Sequence, residues 1–132
     1  MTDPTWIRDD VVLAVHRRQL QEHGGVDGIR DPGLLSSALA RPKNFLAYSR
    51  ANCDIARLAA AYAFGIARNH PFLDGNKRTA FVVCVTFLQV NGFNLSAEPE
   101  EKYKAFLQLA EGKLSEEEFA LWIREHTVRR RS

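Results

Sequence analysis

The chain is poor in cysteine: Cys53 and Cys84 are the only two, with no Cys-x-x-Cys pair and no ligand spacing to any of the four histidines. That pattern excludes a disulfide framework and a zinc module. Cys84 lies inside the apolar run from Ala80 to Val85 and reads as a buried, inert thiol. No window reaches the roughly 18 consecutive apolar residues of a membrane span, and Arg8, Asp9 and Asp10 interrupt any signal-peptide pattern. Repeats, low-complexity tracts and linkers are missing too, so the 132 residues read as one domain, 1–132. A net charge of +2 is too small to argue direct nucleic-acid binding. The expectation is a soluble, cytoplasmic protein whose basic end, Arg129 to Arg131, is a solvated tail.

Helical periodicity, by contrast, is abundant. Val11 to Glu22 predicts a first helix, capped by Asp9 or Asp10 and stopped by Gly24-Gly25. Asp31-Pro32 opens a short second helix carrying Leu34, Leu35, Ala38 and Leu39, which ends before Pro42. Residues 41–53 break the apolar period and predict irregular structure, in which Phe45, Leu46 and Tyr48 can make a short hairpin or flap. After Asp54, the residues Ile55, Leu58, Ala59, Tyr62, Ala63 and Ile66 recur on one helical face. A helix from Asn76 to Asn91 is apolar nearly all round and predicts the central buried element. Pro99 opens a further helix, and Ser115 with Glu118 forms a capping box for the last. The sum is an all-α bundle of about six helices with no sheet.

Between the third helix and the one from Asn76 lies Arg68-Asn-His-Pro-Phe-Leu-Asp-Gly-Asn-Lys-Arg-Thr-Ala80. The free N–H groups of the helix start favour an anion, Gly75 permits close backbone approach, and Lys77 and Arg78 add charge. Asp74 can cap that helix or ligate Mg²⁺, which asks for one or two carboxylates beside nucleotide phosphates. His70 can be a structural hydrogen bonder or a general base for an attacking hydroxyl; its company favours the base. Phe72 is expected to point back into the core.

These residues resemble the signature of the Fic/Doc family, His-x-Phe-x-(Asp/Glu)-(Gly/Ala)-Asn-(Gly/Lys)-Arg. His70, Phe72, Asp74, Gly75, Asn76, Lys77 and Arg78 fill every defined position, and the segment Gly24 to Leu35 resembles the death-on-curing (Doc) branch. The resemblance implies a Fic-like helical bundle using ATP and Mg²⁺, with His70 as base and Asp74 as metal ligand. Asn76, Lys77 and Arg78 would hold phosphates, and Arg68 would help bind the nucleotide. Lys77 and Phe81 stand where AMP-transferring members carry Gly and a second Arg, so the resemblance implies a kinase that phosphorylates a threonine of elongation factor Tu and halts translation. Such toxins pair with a small, Phd-like antitoxin whose C-terminal segment blocks the site. Val82 departs from Doc, which has Asn there, while Pro71 and Gly75 look like the AMP-transferring branch. Glu111-Gly112 lacks the Ser or Thr of the family's self-inhibitory segment, because Leu107 stands there; inhibition is expected from another chain. Two alternatives stand beside the kinase: a protein AMP-transferase on the same scaffold, and a non-enzymatic anion- or peptide-binding module.

Overall fold

Alanine is the strongest helix former and the smallest side chain that packs, and the helix richest in it sits at the middle of the molecule. In the computed structural model, which describes residues 2–130, helix α3 (Ile55–Asn69) starts at Asp54, whose carboxylate accepts from the Arg57 N–H. It packs against α2 (Pro32–Ser49), α4 (Asn76–Val90), α5 (Pro99–Ala110) and α6 (Glu116–Glu125). Eight of its side chains are fully enclosed or nearly so: Leu58, Ala59, Ala60, Ala61, Tyr62, Ala63, Ile66 and Ala67. The central element is therefore α3, and the expectation that α4 would be central is corrected. Helix α4 buries Asn76 and the stripe Thr79, Ala80, Val83, Cys84, Phe87 and Leu88, leaving Phe81 and Val82 half-exposed. Hydropathy misled here because alanine is weakly apolar and valine strongly so, although burial follows position.

Helix α1 (Asp9–His23) packs on α4. Its cap is Arg8, with no side-chain bond; Asp9 and Asp10 lie inside the first turn, where their charge suits the positive end of the helix dipole. Gly24 ends it, as expected, its N–H reaching the Leu20 carbonyl.

The second helix differs from its expected form. It begins at Asp31-Pro32 with Asp31 accepting from the Leu34 N–H, but it runs through Pro42 to Ser49, so residues 41–49 are helical, not irregular. A short 3₁₀ turn, Arg50–Asn52, follows. Proline removes one N–H and crowds the carbonyl four residues back, here Ala38. Gly65 of α3 leaves room at that point, since a Cβ there would lie 3.2 Å from the Ala38 oxygen and 3.0 Å from its Cα. Burial of Pro42 and Leu46, and the Phe45 ring 4.0 Å from the Arg57 guanidinium, hold the second half of α2 in place.

The expectation of no sheet is corrected by one small ribbon. Strand β1 (Phe93–Leu95) pairs antiparallel with β2 (Thr127–Arg129), Asn94 opposite Val128. Arg129 thus belongs to a strand and lies over the Phe93 ring, while Arg130 bonds the carbonyls of Gly92 and Gln89. The tail is docked that far; Arg131 lies outside the described residues. No helix among the described residues is long and apolar enough to cross a membrane. Ser115 and Glu118 form the expected capping box of α6.

Candidate active site

The loop between α3 and α4 is built by a forced break. Helix α3 runs to Asn69, and His70 then takes a left-handed backbone (φ 49°), the only non-glycine residue with positive φ among those described. Pro71 lacks the N–H that would extend α3 and disfavours the helical conformation in the residue before it. Phe72 turns inward, almost wholly enclosed, as expected. Asn76, the first residue of α4, closes the loop: its Oδ1 accepts from the Phe72 N–H at 3.0 Å and its Nδ2 donates to the Phe72 carbonyl at 2.9 Å. The Asn76 side chain is thus committed to the loop backbone. What Asn76 offers an anion is its own N–H, one of the first-turn donors with no acceptor within the helix.

Gly75 is the cap of α4, left-handed at φ 77°, with no side-chain bond. Asp74 therefore does not cap the helix. Its Oδ1 accepts from the Gly75 N–H at 2.8 Å and its Oδ2 from the Val26 N–H at 3.3 Å. Gly25 brings that neighbouring segment close: a Cβ on it would lie 2.8 Å from Asp74 Oδ2, and its φ of 127° is one that side chains disfavour.

Three partners were invisible in the sequence. His16, buried in α1, directs Nε2 at the Asp74 carbonyl (2.8 Å) and stacks on Phe72, the ring centroids 3.7 Å apart. Arg30 donates from Nε to the His70 carbonyl at 2.6 Å and from Nη2 to the Asn69 carbonyl at 2.7 Å. The segment that carries it runs antiparallel to the loop, with Ile29 opposite Phe72, the Arg30 N–H on the Pro71 carbonyl and the Leu73 N–H on the Gly28 carbonyl. Tyr103 of α5 is the third, an exposed ring facing the loop. Each lies at least thirty residues from the motif in sequence or on another helix, so no local spacing announces it. The Gly24-Gly25 pair signalled a helix stop, not its approach to Asp74.

These contacts leave a cavity of about 430 Å³ lined by His70, Asp74, Gly75, Asn76, Lys77, Arg78 and Tyr103, together with Leu73. His70, Asp74, Lys77 and Arg78 all reach solvent there. Arg68 does not line it; its guanidinium lies over Phe64 and beside Gly112, at the turn after α5. A second, more apolar cavity of about 540 Å³ adjoins the first and shares Lys77, Arg78 and Tyr103, with Phe81, Val82, Phe106 and Leu107 as its floor.

No group of three or more His, Cys, Asp or Glu among the described residues is placed to hold a metal by itself. One exposed carboxylate beside helix-start donors and two cations suits instead a divalent ion that arrives with a polyphosphate. Both Asp74 oxygens accept a single N–H, so each keeps a lone pair for a cation.

Comparison with known proteins agrees with this geometry. Residues 6–88 match the sequence model of the Fic/DOC family. The chain is 33% identical over 94 residues to the protein kinase doc of Escherichia phage P1, covering 71% of this chain and 74% of that one. It is 44% identical over 75 residues to the toxin Doc of Mycolicibacterium smegmatis, covering 57% of this chain and 58% of that one. With more than half the chain inside the family match and the motif folded into one cavity, the protein belongs to the Fic/Doc family.

Proposed function

We propose that the chain is a Doc-type toxin, an enzyme that transfers the γ-phosphoryl group of ATP to a protein hydroxyl in the cytoplasm, a threonine of elongation factor Tu being the expected acceptor. One observation carries the reading: His70, Asp74, Lys77, Arg78 and the start of α4 converge on a single cavity. Phosphoryl transfer needs positioning and charge stabilisation more than covalent chemistry, and that is what the cavity offers. Lys77, Arg78 and the first-turn N–H groups hold the phosphates. Asp74 would hold Mg²⁺, which neutralises phosphate charge when bound. His70 takes the proton of the attacking hydroxyl as its oxygen bonds to the γ-phosphorus and the bridging oxygen leaves with ADP.

Lys77 supports kinase chemistry over AMP transfer, because it lines the cavity where AMP-transferring members carry glycine, and its side chain would crowd the phosphates that glycine admits. Phe81, packed edge-on against Phe106 at 4.9 Å, supplies no second cation. The relative named a protein kinase supports it as well. The partner is proposed to be a small Phd-like antitoxin whose C-terminal segment lies over the apolar cavity beside Phe81 and Val82 and reaches Lys77 and Arg78. Translation would stop when that segment is absent.

The test is incubation with elongation factor Tu, Mg²⁺ and ATP labelled at either the γ or the α position. Label on the factor from γ-ATP alone is expected. Label from α-ATP alone would overturn the kinase in favour of AMP transfer, and label from neither would leave the binding-module alternative standing.

A further inference from the structure

We infer that His16 is a positioning residue for the proposed metal-dependent transfer: from the middle of α1 it fixes the backbone of Asp74, and so the carboxylate that would meet the cation. The inference rests on the reading above but concerns a residue outside the motif. His16 is 3% exposed and lies on the buried face of α1 with Val12 and Gln19. Its ring is within 9° of parallel to Phe72. A carbonyl oxygen only accepts, so the bond to Asp74 requires the imidazole to carry a proton on Nε2.

A purely apolar ring would fill the same slot without the cost of burying an imidazole. What the imidazole adds is one directed donor, and it is spent on the residue whose side chain faces the phosphate cavity. Asp74 is then tied at three atoms: its carbonyl by His16 of α1, Oδ2 by Val26 of the segment after α1, and Oδ1 by the N–H of the next residue, Gly75. Phe72, two residues earlier, is held on both backbone atoms by Asn76 and on its ring by His16. Without the His16 donor, the peptide after Asp74 can rotate while the Phe72 anchor stays, and the carboxylate swings with it. Outer groups that orient a ligating carboxylate commonly matter about 10- to 100-fold in metal affinity.

Titration calorimetry of the full chain with ATP, in Mg²⁺ and separately in EDTA, reads this directly. His16→Phe keeps the stack and loses the donor. It is expected to weaken binding about 10- to 100-fold in Mg²⁺ and to leave the EDTA affinity unchanged. His16→Gln supplies an N–H at similar reach and is expected to recover most of the loss. His16→Asn, too short to reach, takes the place of His16→Phe if circular dichroism shows that variant unfolded. Wild-type affinity in the donor-less variant overturns the inference, and so does an equal loss in EDTA, which marks general collapse of the loop. Wild-type protein with no Mg²⁺-dependent binding is a separate outcome, seen before any variant is made; it removes the metal reading and this inference with it.

Discussion

His70 adopts a backbone conformation that a side chain disfavours by about 1–3 kcal/mol, and Arg30 is the group that keeps it there. Two charge-assisted bonds from one guanidinium, to the carbonyls of Asn69 and His70, fix the end of α3 and the exit direction of the loop. Lysine has no such fork. Arg30→Lys is therefore expected to lower the transfer rate about tenfold, roughly the worth of one charged hydrogen bond, with nucleotide affinity unchanged; equal changes in both would place Arg30 on the nucleotide instead. His70→Ala should behave differently. Transfer is expected to fall about 10²- to 10⁴-fold, the usual share of a positioned base, while ATP still binds and the circular dichroism spectrum is kept. Loss of binding in that variant would make His70 a ligand-holding group. The motif's own residues were readable because they are contiguous and chemically unlike. The turn-closing role of the Asn76 amide was not readable, since spacing cannot tell an amide that faces a ligand from one that closes a turn.

At the scale of the elements, a charge cluster built on the buried pair Arg57–Glu116, with half-exposed Arg41 beside it, fastens three helices. Glu116, the first residue of α6, accepts from Arg41 of α2 and, at 2.6 Å, from Arg57 of α3, whose side chain is only 12% exposed. Removing one member of such a group strands the others, at a cost of about 3–5 kcal/mol. Glu116→Ala is expected to lose that much in urea unfolding, and a loss within experimental error would show the cluster to be solvated. Asp54 gives a pH handle on the same region. Burial alone would raise its carboxyl, but the Arg124 side chain and the Arg57 N–H outweigh this and hold it below its ordinary value. A carboxyl lowered in the folded state stabilises fully above its unfolded value and loses that stabilisation as pH falls through the folded one. Between neutrality and about pH 3, the wild-type melting temperature should therefore drop further than that of Asp54→Asn. Parallel curves would contradict the assignment. The Asp54 cap, the Ser115–Glu118 box and the Asp31-Pro32 start were all legible, because capping chemistry is local. The run of α2 through Pro42 was not, because what holds its second half is burial of Pro42 and Leu46 and the contact of Phe45 with Arg57 of another helix. Strands β1 and β2, three residues each, are too short to show alternation.

Across the whole molecule, the bundle serves to bring α1, the segment after it, and α5 to the two sides of one loop. Helix class and helix number followed from periodicity, and the loop's chemistry from its motif. The walls around that loop could not be read, since His16, Val26, Arg30 and Tyr103 converge only through packing of distant segments. The adjoining apolar cavity shares Lys77, Arg78 and Tyr103 with the loop, which ties it to the same site. The proposed function depends on the α3–α4 loop seating a magnesium-bound triphosphate beside His70. Amide NMR of the His70→Ala chain, titrated with ATP with and without Mg²⁺, measures that most directly. Saturable, Mg²⁺-enhanced shifts at Gly75, Asn76, Lys77 and Arg78 are the predicted result. No association, or shifts confined to the far side near Arg41 and Glu116, would contradict it.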